Sequence, residues 1–148
     1  KELVRRCVTD AGHTVVDCGT HSTDPVDYPD YAAAVAREVV EARADRGIVI
    51  CGSGVGACVV VNKVAGARSS VCHDTYSAAQ GVEHDDMNVL CLGGRIIGPA
   101  IVPDLVPAFL GATFSGEERH RRRLKKLLDI ESGRWPDSIP GPPTEERR

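Results

Sequence analysis

Short apolar runs rich in β-branched residues alternate along this chain with longer stretches whose apolar positions recur at helical spacing. Four such runs predict buried strands, at residues 13–16, 47–50, 68–72 and 88–92. Because helical stretches separate the strands, the pattern predicts a parallel sheet with helices packed on both of its faces. The sequence therefore indicates an α/β fold.

The stretches between and after the strands predict helices. Three of them have apolar residues at helical spacing: 31–43, 57–64 and 75–82. Pro99 suits the first turn of a further helix that runs to Leu110, although Pro103 and Pro107 make its later turns irregular. Residues 117–130 predict a charged last helix with a narrow apolar face of Leu124, Leu127 and Leu128.

Both ends of the chain depart from this alternation. Residues 1–8 have the pattern of the middle of an amphipathic helix, so we expect the first strand of the sheet to be encoded upstream of Lys1. Residues 132–148 contain four prolines and terminal charges, a composition that cannot bury enough apolar area to offset chain entropy. We therefore expect one N-terminally incomplete domain over residues 1–131 and a flexible tail over residues 132–148.

The composition narrows the function classes. With 148 residues and 42% hydrophobic content, the chain can build one core. A net charge of -3 argues against a dedicated nucleic-acid binder and favours a small-molecule ligand. Six cysteines without a C-x-x-C pair indicate free thiols in a reducing compartment, and no apolar run approaches the roughly 20 residues of a membrane span. These features predict a cytoplasmic protein without nucleic-acid or membrane partners.

The strand at 47–50 runs through Cys51 into a turn with three alternating glycines, Gly52, Gly54 and Gly56, and then into a helix. Glycines let backbone N–H groups approach a bound anion closely, and they adopt positive φ without strain. The turn is not a P-loop, since no Gly-Lys-Ser/Thr follows, and it lacks the spacing of a dinucleotide fingerprint. The pattern indicates an anion-binding turn, and a turn that needs glycine for packing alone is the alternative.

Cys51 lies at the carboxyl end of its predicted strand, where open α/β sheets bind their ligands. Next to a helix N-terminus, a thiol can serve as a base or a nucleophile. A buried, inert thiol is the alternative for any single cysteine. By position Cys51 is the best candidate, and the other five are expected in the core: Cys7, Cys18, Cys58, Cys72 and Cys91.

Two further groups have candidate roles. His84 falls in a predicted polar loop, which we expect near the same sheet edge as the other candidate groups; a solvated loop histidine is the alternative. Arg119 and Arg123 are four residues apart on the last helix and hence on one face, where they could hold one phosphate between them. The alternative for these arginines is an ordinary solvated helix face.

Four sequence blocks occur in a characteristic order. They are DYPDYA at 27–32, ICGSGVG at 50–56 with Asn62-Lys63 downstream, His84 with Asn88-Val89-Leu90 and Gly93-Gly94-Arg95, and Arg119-His120-x-x-Arg123. From Lys1 to about Ile130, the chain resembles the ribose-5-phosphate isomerase B and galactose-6-phosphate isomerase family. The resemblance implies a Rossmann-like three-layer αβα sandwich that forms a homodimer or a dimer of dimers, with active sites built from both subunits. The first strand of the family ends in an Asp-His pair, which we expect in the upstream strand.

The resemblance also implies an activity, the interconversion of ribose 5-phosphate and ribulose 5-phosphate through a cis-enediolate. Cys51 would be the base, and His84 would open the furanose ring. Arg119 and Arg123 would hold the phosphate with help from Arg95. The enediolate oxygen would be stabilised by the Ser53 hydroxyl and by the backbone amides of Gly52, Ser53, Gly54, Val55 and Gly56. The resemblance implies no cofactor and no metal ion.

The substrate stays open at this point. Asp85 stands where the family more commonly has an asparagine, and a carboxylate cannot donate the hydrogen bond of the amide. One alternative is therefore an isomerase for another phosphosugar, such as allose 6-phosphate, galactose 6-phosphate or a tetrulose phosphate. A non-catalytic phosphosugar-binding module is a second. A nucleotide-binding domain is disfavoured, because the chain lacks a Walker lysine and an acidic ribose ligand.

Overall fold

A computed structural model describes residues 1–138 and 140, and its centre is a three-stranded parallel sheet. The strands are β1 (Gly47–Cys51), β2 (Ser69–Val71) and β3 (Val89–Gly93), in the order β1-β3-β2. Gly47 pairs with Val89 and Cys51 with Gly93, so β1 and β3 run side by side over their full length. The predicted parallel sheet is confirmed. We call the side on which the three strands end the carboxyl edge, and the opposite side the amino edge.

Six α-helices of the described residues surround the sheet: α1 (Glu2–Asp10), α2 (Tyr28–Val40), α3 (Val55–Val61), α4 (Thr75–Asp85), α5 (Val102–Gly111) and α6 (Glu118–Glu131). The single helix predicted from Pro99 is wrong in detail. One 3-10 turn, Pro99–Ile101, precedes α5, since Pro103 suits the first turn of a new helix. None of these helices has the length and apolar character needed to cross a bilayer.

The sheet buries a separate apolar cluster on each face. On β3, Val89 and Cys91 belong to the cluster under α2 and α3, whereas Leu90 and Leu92 belong to the cluster under α4 and α5. This alternation follows from the two-residue period of a strand. Every residue of β3 is buried, as expected of the central strand of a parallel sheet. The predicted three-layer αβα sandwich is confirmed.

The predicted strand at residues 13–16 does not form. His13, Thr14 and Val16 are exposed, and the segment has no regular secondary structure. Among the described residues, β1 has β3 as its one neighbour, and the segment joins no ladder. A β-branched pattern makes a strand only where a partner accepts its backbone hydrogen bonds, and no part of the chain that the structure describes does so for this segment.

Part of the predicted tail follows α6. Trp135 in this segment is 71% exposed, and Lys126 of α6 donates a hydrogen bond to Ser138 Oγ at 2.8 Å. Residues 139 and 141–148 lie outside the described residues, so the flexible tail stays a prediction for most of its length.

Candidate functional site

The turns that follow β1 and β3 are tied together at the carboxyl edge. Gly94 donates its backbone N–H to Cys51 O at 2.8 Å, and Arg95 donates its own to Gly52 O at 3.0 Å. The Arg95 side chain lies over Gly52, where an added Cβ would stand 3.8 Å from Arg95 Cδ. Cys51 is half-buried and Ser53 is exposed. The structure thus brings Cys51, the glycine turn and Arg95 together. The sequence had placed Cys51 beside the glycine turn, but it had not placed Arg95 there.

Gly54 begins α3 in the left-handed region, at a φ of 81°. A Cβ at this position would lie 3.0 Å from the carbonyl carbon of Leu92 and 3.2 Å from Gly93 N. The turn therefore passes so close to β3 that it requires glycine both for conformation and for space. Because the N-cap residue is a glycine, no cap side chain competes for the first N–H groups of α3, although the Val55 N–H contacts Ser53 Oγ at 3.3 Å.

Replacing Gly54 with alanine is expected to destabilise the protein by about 1–3 kcal/mol, because the new Cβ forces the turn away from β3. Chemical or thermal unfolding measures the change. Gly98→Ala is the matched control, since Gly98 has a φ of -73° and an added Cβ there meets no atom within 4 Å. Equal stability of the two variants would contradict the requirement for glycine at position 54.

Cys51 differs from Cys72 and Cys91 in burial and from all five other cysteines in position. Burial raises the pKa of the Cys91 thiol to about 12, and it also raises the pKa of Cys72. Both of these residues lie in the core, as predicted. Cys7, Cys18 and Cys58 are half-buried, so the prediction that they fill the core is only partly right. Cys51 is the half-buried thiol that stands directly before the glycine turn.

Sequence reasoning misses His73, which follows β2 at the carboxyl edge. Its Nε2 atom is buried and has no hydrogen-bond partner among residues 1–138 and 140. An added Cβ at Gly93 would lie 3.0 Å from this atom and 2.7 Å from Ser53 O, so His73 reaches the backbone beside the glycine turn. The sequence did contain a signal for His73. It directly follows a predicted strand, and the same kind of position identified Cys51 as a candidate.

His84 lies in the last turn of α4, and its prediction as a loop residue is wrong. The helix continues past the predicted end at Val82 until Asp86, whose left-handed backbone (φ 52°) ends it. The expected location near the carboxyl edge is wrong as well. As a crossover helix, α4 leaves the carboxyl edge after β2 and returns the chain to the amino edge before β3. The length of the five-residue strand β3, about 13 Å between its end residues, therefore separates His84 from Cys51.

The end of α4 is held in place by an arginine. Arg68 donates from Nε to Asp86 O and from a terminal guanidinium nitrogen to Asp86 Oδ2, both at 2.7 Å. Asp85, the last residue of the helix, is exposed and lines an open cleft of about 640 Å³ between α3, α4 and α6. Cys51 does not line this cleft.

His120 of α6 is buried, with 1% exposure, although four arginines surround it in sequence. Its ring stacks on that of His84, with the centroids 4.1 Å apart and the planes inclined by 27°. Ser115 Oγ lies 2.6 Å from His120 Nδ1. Burial lowers the pKa of His120, and the neighbouring His84 and Arg119 lower it further, so the neutral imidazole is favoured.

Sequence reasoning also misses the burial of His120, because a cluster of arginines is typical of a solvated helix face. A signal was present in the spacing. His120 precedes Leu124 and Leu127 by four and seven residues, which is the spacing of the buried face of an amphipathic helix.

The arginine pair lies on α6 on either side of His120, whose ring stacks on that of His84. Arg119 Nε pairs with Glu117 Oε2 at 2.9 Å, and both side chains are more than half exposed. Arg123, one turn further, is also exposed. The structure thus divides the predicted site residues into two groups. Cys51, the glycine turn and Arg95 form a carboxyl-edge group, whereas an amino-edge group contains His84, Asp85, Arg119 and Arg123.

This fold and these two groups define a Rossmann-like α/β protein with candidate sites for a small anionic ligand. A sequence profile described as Ribose/Galactose Isomerase matches residues 1–127. Ribose-5-phosphate isomerase B of Escherichia coli is 42% identical over 133 residues, which are 90% of this chain and 88% of the relative. D-erythrulose-4-phosphate isomerase of Pectobacterium atrosepticum is 38% identical over 120 residues, 78% of this chain and 77% of the relative.

Solved structures agree with the sequence relatives. The type B ribose 5-phosphate isomerase of Trypanosoma cruzi superimposes with a TM-score of 0.86 at 40% identity, covering 89% of each chain. The chain therefore belongs to the ribose/galactose isomerase family, as a sugar-phosphate isomerase of the ribose-5-phosphate isomerase B type. The resemblance seen in the sequence blocks is confirmed.

Proposed function

We propose that this isomerase interconverts ribose 5-phosphate and ribulose 5-phosphate, at active sites that each combine the carboxyl-edge group of one copy with the amino-edge group of another. One observation carries the second half of this proposal. The two groups stand at opposite ends of the sheet, about 13 Å apart along β3, so the base and the ring-opening group of one copy cannot touch one pentose ring. A second copy supplies the missing group to each site.

At the carboxyl edge, the Cys51 thiolate removes the proton from C2 of the open-chain aldose. The electrons of the C2–H bond form the C1=C2 bond of the cis-enediolate, and the O2 proton moves to O1. The thiol then returns its proton to C1 as the C2=O2 bond forms, which gives the ketose. The Ser53 hydroxyl and the amides of Gly52, Gly54 and Gly56 stabilise the developing oxygen charge, and loss of one such donor costs roughly a hundredfold in rate or more. This proton transfer requires neither a cofactor nor a metal ion.

At the amino edge, His84 donates a proton to the ring oxygen as the C1–O4 bond of the furanose breaks, and the C1 hydroxyl passes its proton to water as the aldehyde forms. Asp85 follows His84 directly in α4 and contacts the sugar. Its carboxylate accepts hydrogen bonds from the sugar, whereas an asparagine could also donate one. Arg119 and Arg123 hold the phosphate from the exposed side of α6, and Arg95 adds a positive charge from the carboxyl edge. The proximity of these arginines to His84, through its stacking partner His120, supports a shared ligand.

Changing Arg119 or Arg123 to alanine is expected to raise KM and to lower kcat/KM by about 1.5 to 3 kcal/mol, roughly ten- to a hundredfold, as for other charge-assisted hydrogen bonds. Arg121→Ala and Arg122→Ala are the controls, because these exposed residues project from other faces of the same helix. Steady-state kinetics with ribose 5-phosphate measures the effects. Small and equal effects at all four positions would mean that the arginines form an ordinary solvated helix face and do not bind the phosphate.

The 38% identical D-erythrulose-4-phosphate isomerase and the carboxylate at Asp85 favour another phosphosugar as the second candidate substrate. A panel assay with ribose 5-phosphate, ribulose 5-phosphate, D-erythrulose 4-phosphate, allose 6-phosphate and galactose 6-phosphate tests the proposal. We expect the highest kcat/KM for the pentose phosphates. A higher value for another sugar would replace the substrate, and binding without turnover of any of them would favour a non-catalytic phosphosugar-binding module.

A further inference from the structure

The pairing of His84 with His120 is the feature of the amino edge that the proposed chemistry does not use. Only 1% of His120 is exposed, and its ring covers His84 at a centroid distance of 4.1 Å. A leucine or a phenylalanine could fill the same space without a polar cost. Instead, His120 Nε2 is buried without a hydrogen-bond partner among residues 1–138 and 140, and an unpaired buried polar atom is unfavourable for stability.

Ser115 fixes this ring to α4. Its Oγ lies 2.6 Å from His120 Nδ1, and its backbone N–H donates to Glu83 O, one residue before His84, at 2.9 Å. Ser115 Oγ also accepts the Glu117 N–H at 3.3 Å, just before α6 begins. The last turn of α4 and the first turn of α6 are therefore joined by backbone and side-chain hydrogen bonds as well as by the ring stack.

We infer that His120 is a positioning residue, which with Ser115 holds the His84 ring at a fixed distance from the phosphate-binding arginines. The inference rests on the ring-opening role proposed above for His84. His120 lies between Arg119 and Arg123 in the chain. Its stack on His84 therefore joins the ring-opening histidine and the two phosphate-binding arginines in one rigid unit. A pentose phosphate held by its phosphate then presents its ring oxygen at a constant place relative to His84.

The charge state of the pair agrees with this role. Burial lowers the pKa of His120, and His84 and Arg119 lower it further, whereas Glu117 acts in the opposite direction. A neutral His120 adds no positive charge beside His84 and the neighbouring arginines. The polar atoms of His120 thus serve orientation, through Ser115, and not proton transfer to the sugar.

Two reactions of the same enzyme distinguish positioning from general damage. Net conversion of ribose 5-phosphate begins with a furanose and needs ring opening. Exchange of the C1 proton of ribulose 5-phosphate with solvent deuterium needs only enediolate formation, because this ketose has no ring while its O5 carries the phosphate. Mass spectrometry or proton NMR in D₂O follows the exchange, and a coupled assay follows the conversion.

We expect His120→Leu to lower kcat for ribose 5-phosphate about tenfold with little change in KM, and to leave the deuterium exchange at its wild-type rate. His120→Phe keeps an aromatic ring against His84 and is expected to recover most of the lost kcat. Ser115→Ala, which removes the bonds of Ser115 Oγ to His120 Nδ1 and to the Glu117 N–H, should show the same split to a smaller extent. It also keeps the test decisive if His120→Leu fails to fold.

Three outcomes would overturn the inference. Equal loss of conversion and exchange in Ser115→Ala and His120→Leu would mean that His120 is only structural. A higher KM with unchanged kcat would mean that His120 contributes to phosphate binding. Wild-type kinetics would mean that it has no role in the reaction. His84→Ala is measured alongside as the reference. If that variant itself loses no conversion, the proposed role of His84 fails; if it shows the split and the His120 and Ser115 variants do not, only the positioning inference fails.

Discussion

A Cys51→Ala variant is expected to convert ribose 5-phosphate with a kcat about a thousandfold below that of the wild type, while its KM changes little. The proposed base acts in the transition state, whereas phosphate binding is proposed for Arg119 and Arg123, which this substitution leaves in place. Cys51 ends β1 directly before the glycine turn, and the other five cysteines are not placed there. No second thiol of the described residues can take over its role at this turn. Steady-state kinetics of the purified variant measures the loss.

The same variant should lose the deuterium exchange at C1 of ribulose 5-phosphate by a similar factor, because exchange and isomerisation share the enediolate. His84→Ala should behave in the opposite way and keep the exchange while it loses conversion of the furanose. The comparison assigns one residue to each of the two proton transfers.

Cys7→Ala is the matched control for Cys51→Ala. Cys7 is also half-buried, but it lies on α1, which packs against α5. It is expected to have wild-type kinetics. If Cys51→Ala retained more than about a tenth of the wild-type kcat, Cys51 would not be the base that removes the C2 proton.

The part of the site that sequence predicts well is the part set by local chain geometry. A strand followed by alternating glycines has few solutions, because Gly54 must take a positive φ and pass within van der Waals distance of β3. The central strand β3 is equally plain in sequence, since a strand covered on both faces is apolar throughout. Both features follow from residues close together in the chain.

The features that sequence misses depend on partners far away in the chain. The end of α4 past Val82 is set by the left-handed Asp86 and by Arg68, eighteen residues earlier, so the loop predicted for His84 becomes helix. His120 is buried because α6 lays it on His84, a contact across 36 residues. The segment at 13–16 fails as a strand because pairing, and not β-branched composition, forms a ladder.

The sheet edge at which a residue lies follows from topology, and this is why the expectation that His84 lies near the carboxyl edge was wrong. Residues after a strand lie at the carboxyl edge, and residues at the end of a crossover helix lie at the amino edge. His84 belongs to the second kind. The division of the site into two groups could have been predicted from the order of elements alone, and it leads directly to a test of the shared site.

Mixing Cys51→Ala chains with His84→Ala chains is expected to restore about a quarter of wild-type activity, although each variant alone retains below about 1%. Random pairing of equal amounts makes half of all dimers mixed. In a mixed dimer, one site contains the intact Cys51 of one copy and the intact His84 of the other, and the second site lacks both. Half of the sites in half of the dimers are therefore complete.

The experiment needs subunits that exchange, so the two variants are mixed after mild denaturation or are coexpressed with different tags, and native mass spectrometry measures the fraction of mixed dimers. The control mixes Cys51→Ala chains with chains that carry both substitutions. No pairing of those chains gives a complete site, and no activity is expected to return. Dilution of the restored mixture below the dissociation constant of the dimer should abolish the activity again, since neither copy has a complete site of its own.

Recovery in the first mixture and not in the control requires that Cys51 and His84 act on one sugar from two different copies. Within a single copy the length of β3, about 13 Å, separates the two edges at which these residues lie, and only a second copy brings an amino-edge group to a carboxyl edge. If mixed dimers form in the expected proportion and the activity stays at the level of the separate variants, the two residues do not share a site. The ring-opening group would then have to come from the carboxyl edge itself, where the buried Nε2 of His73 lies beside the glycine turn.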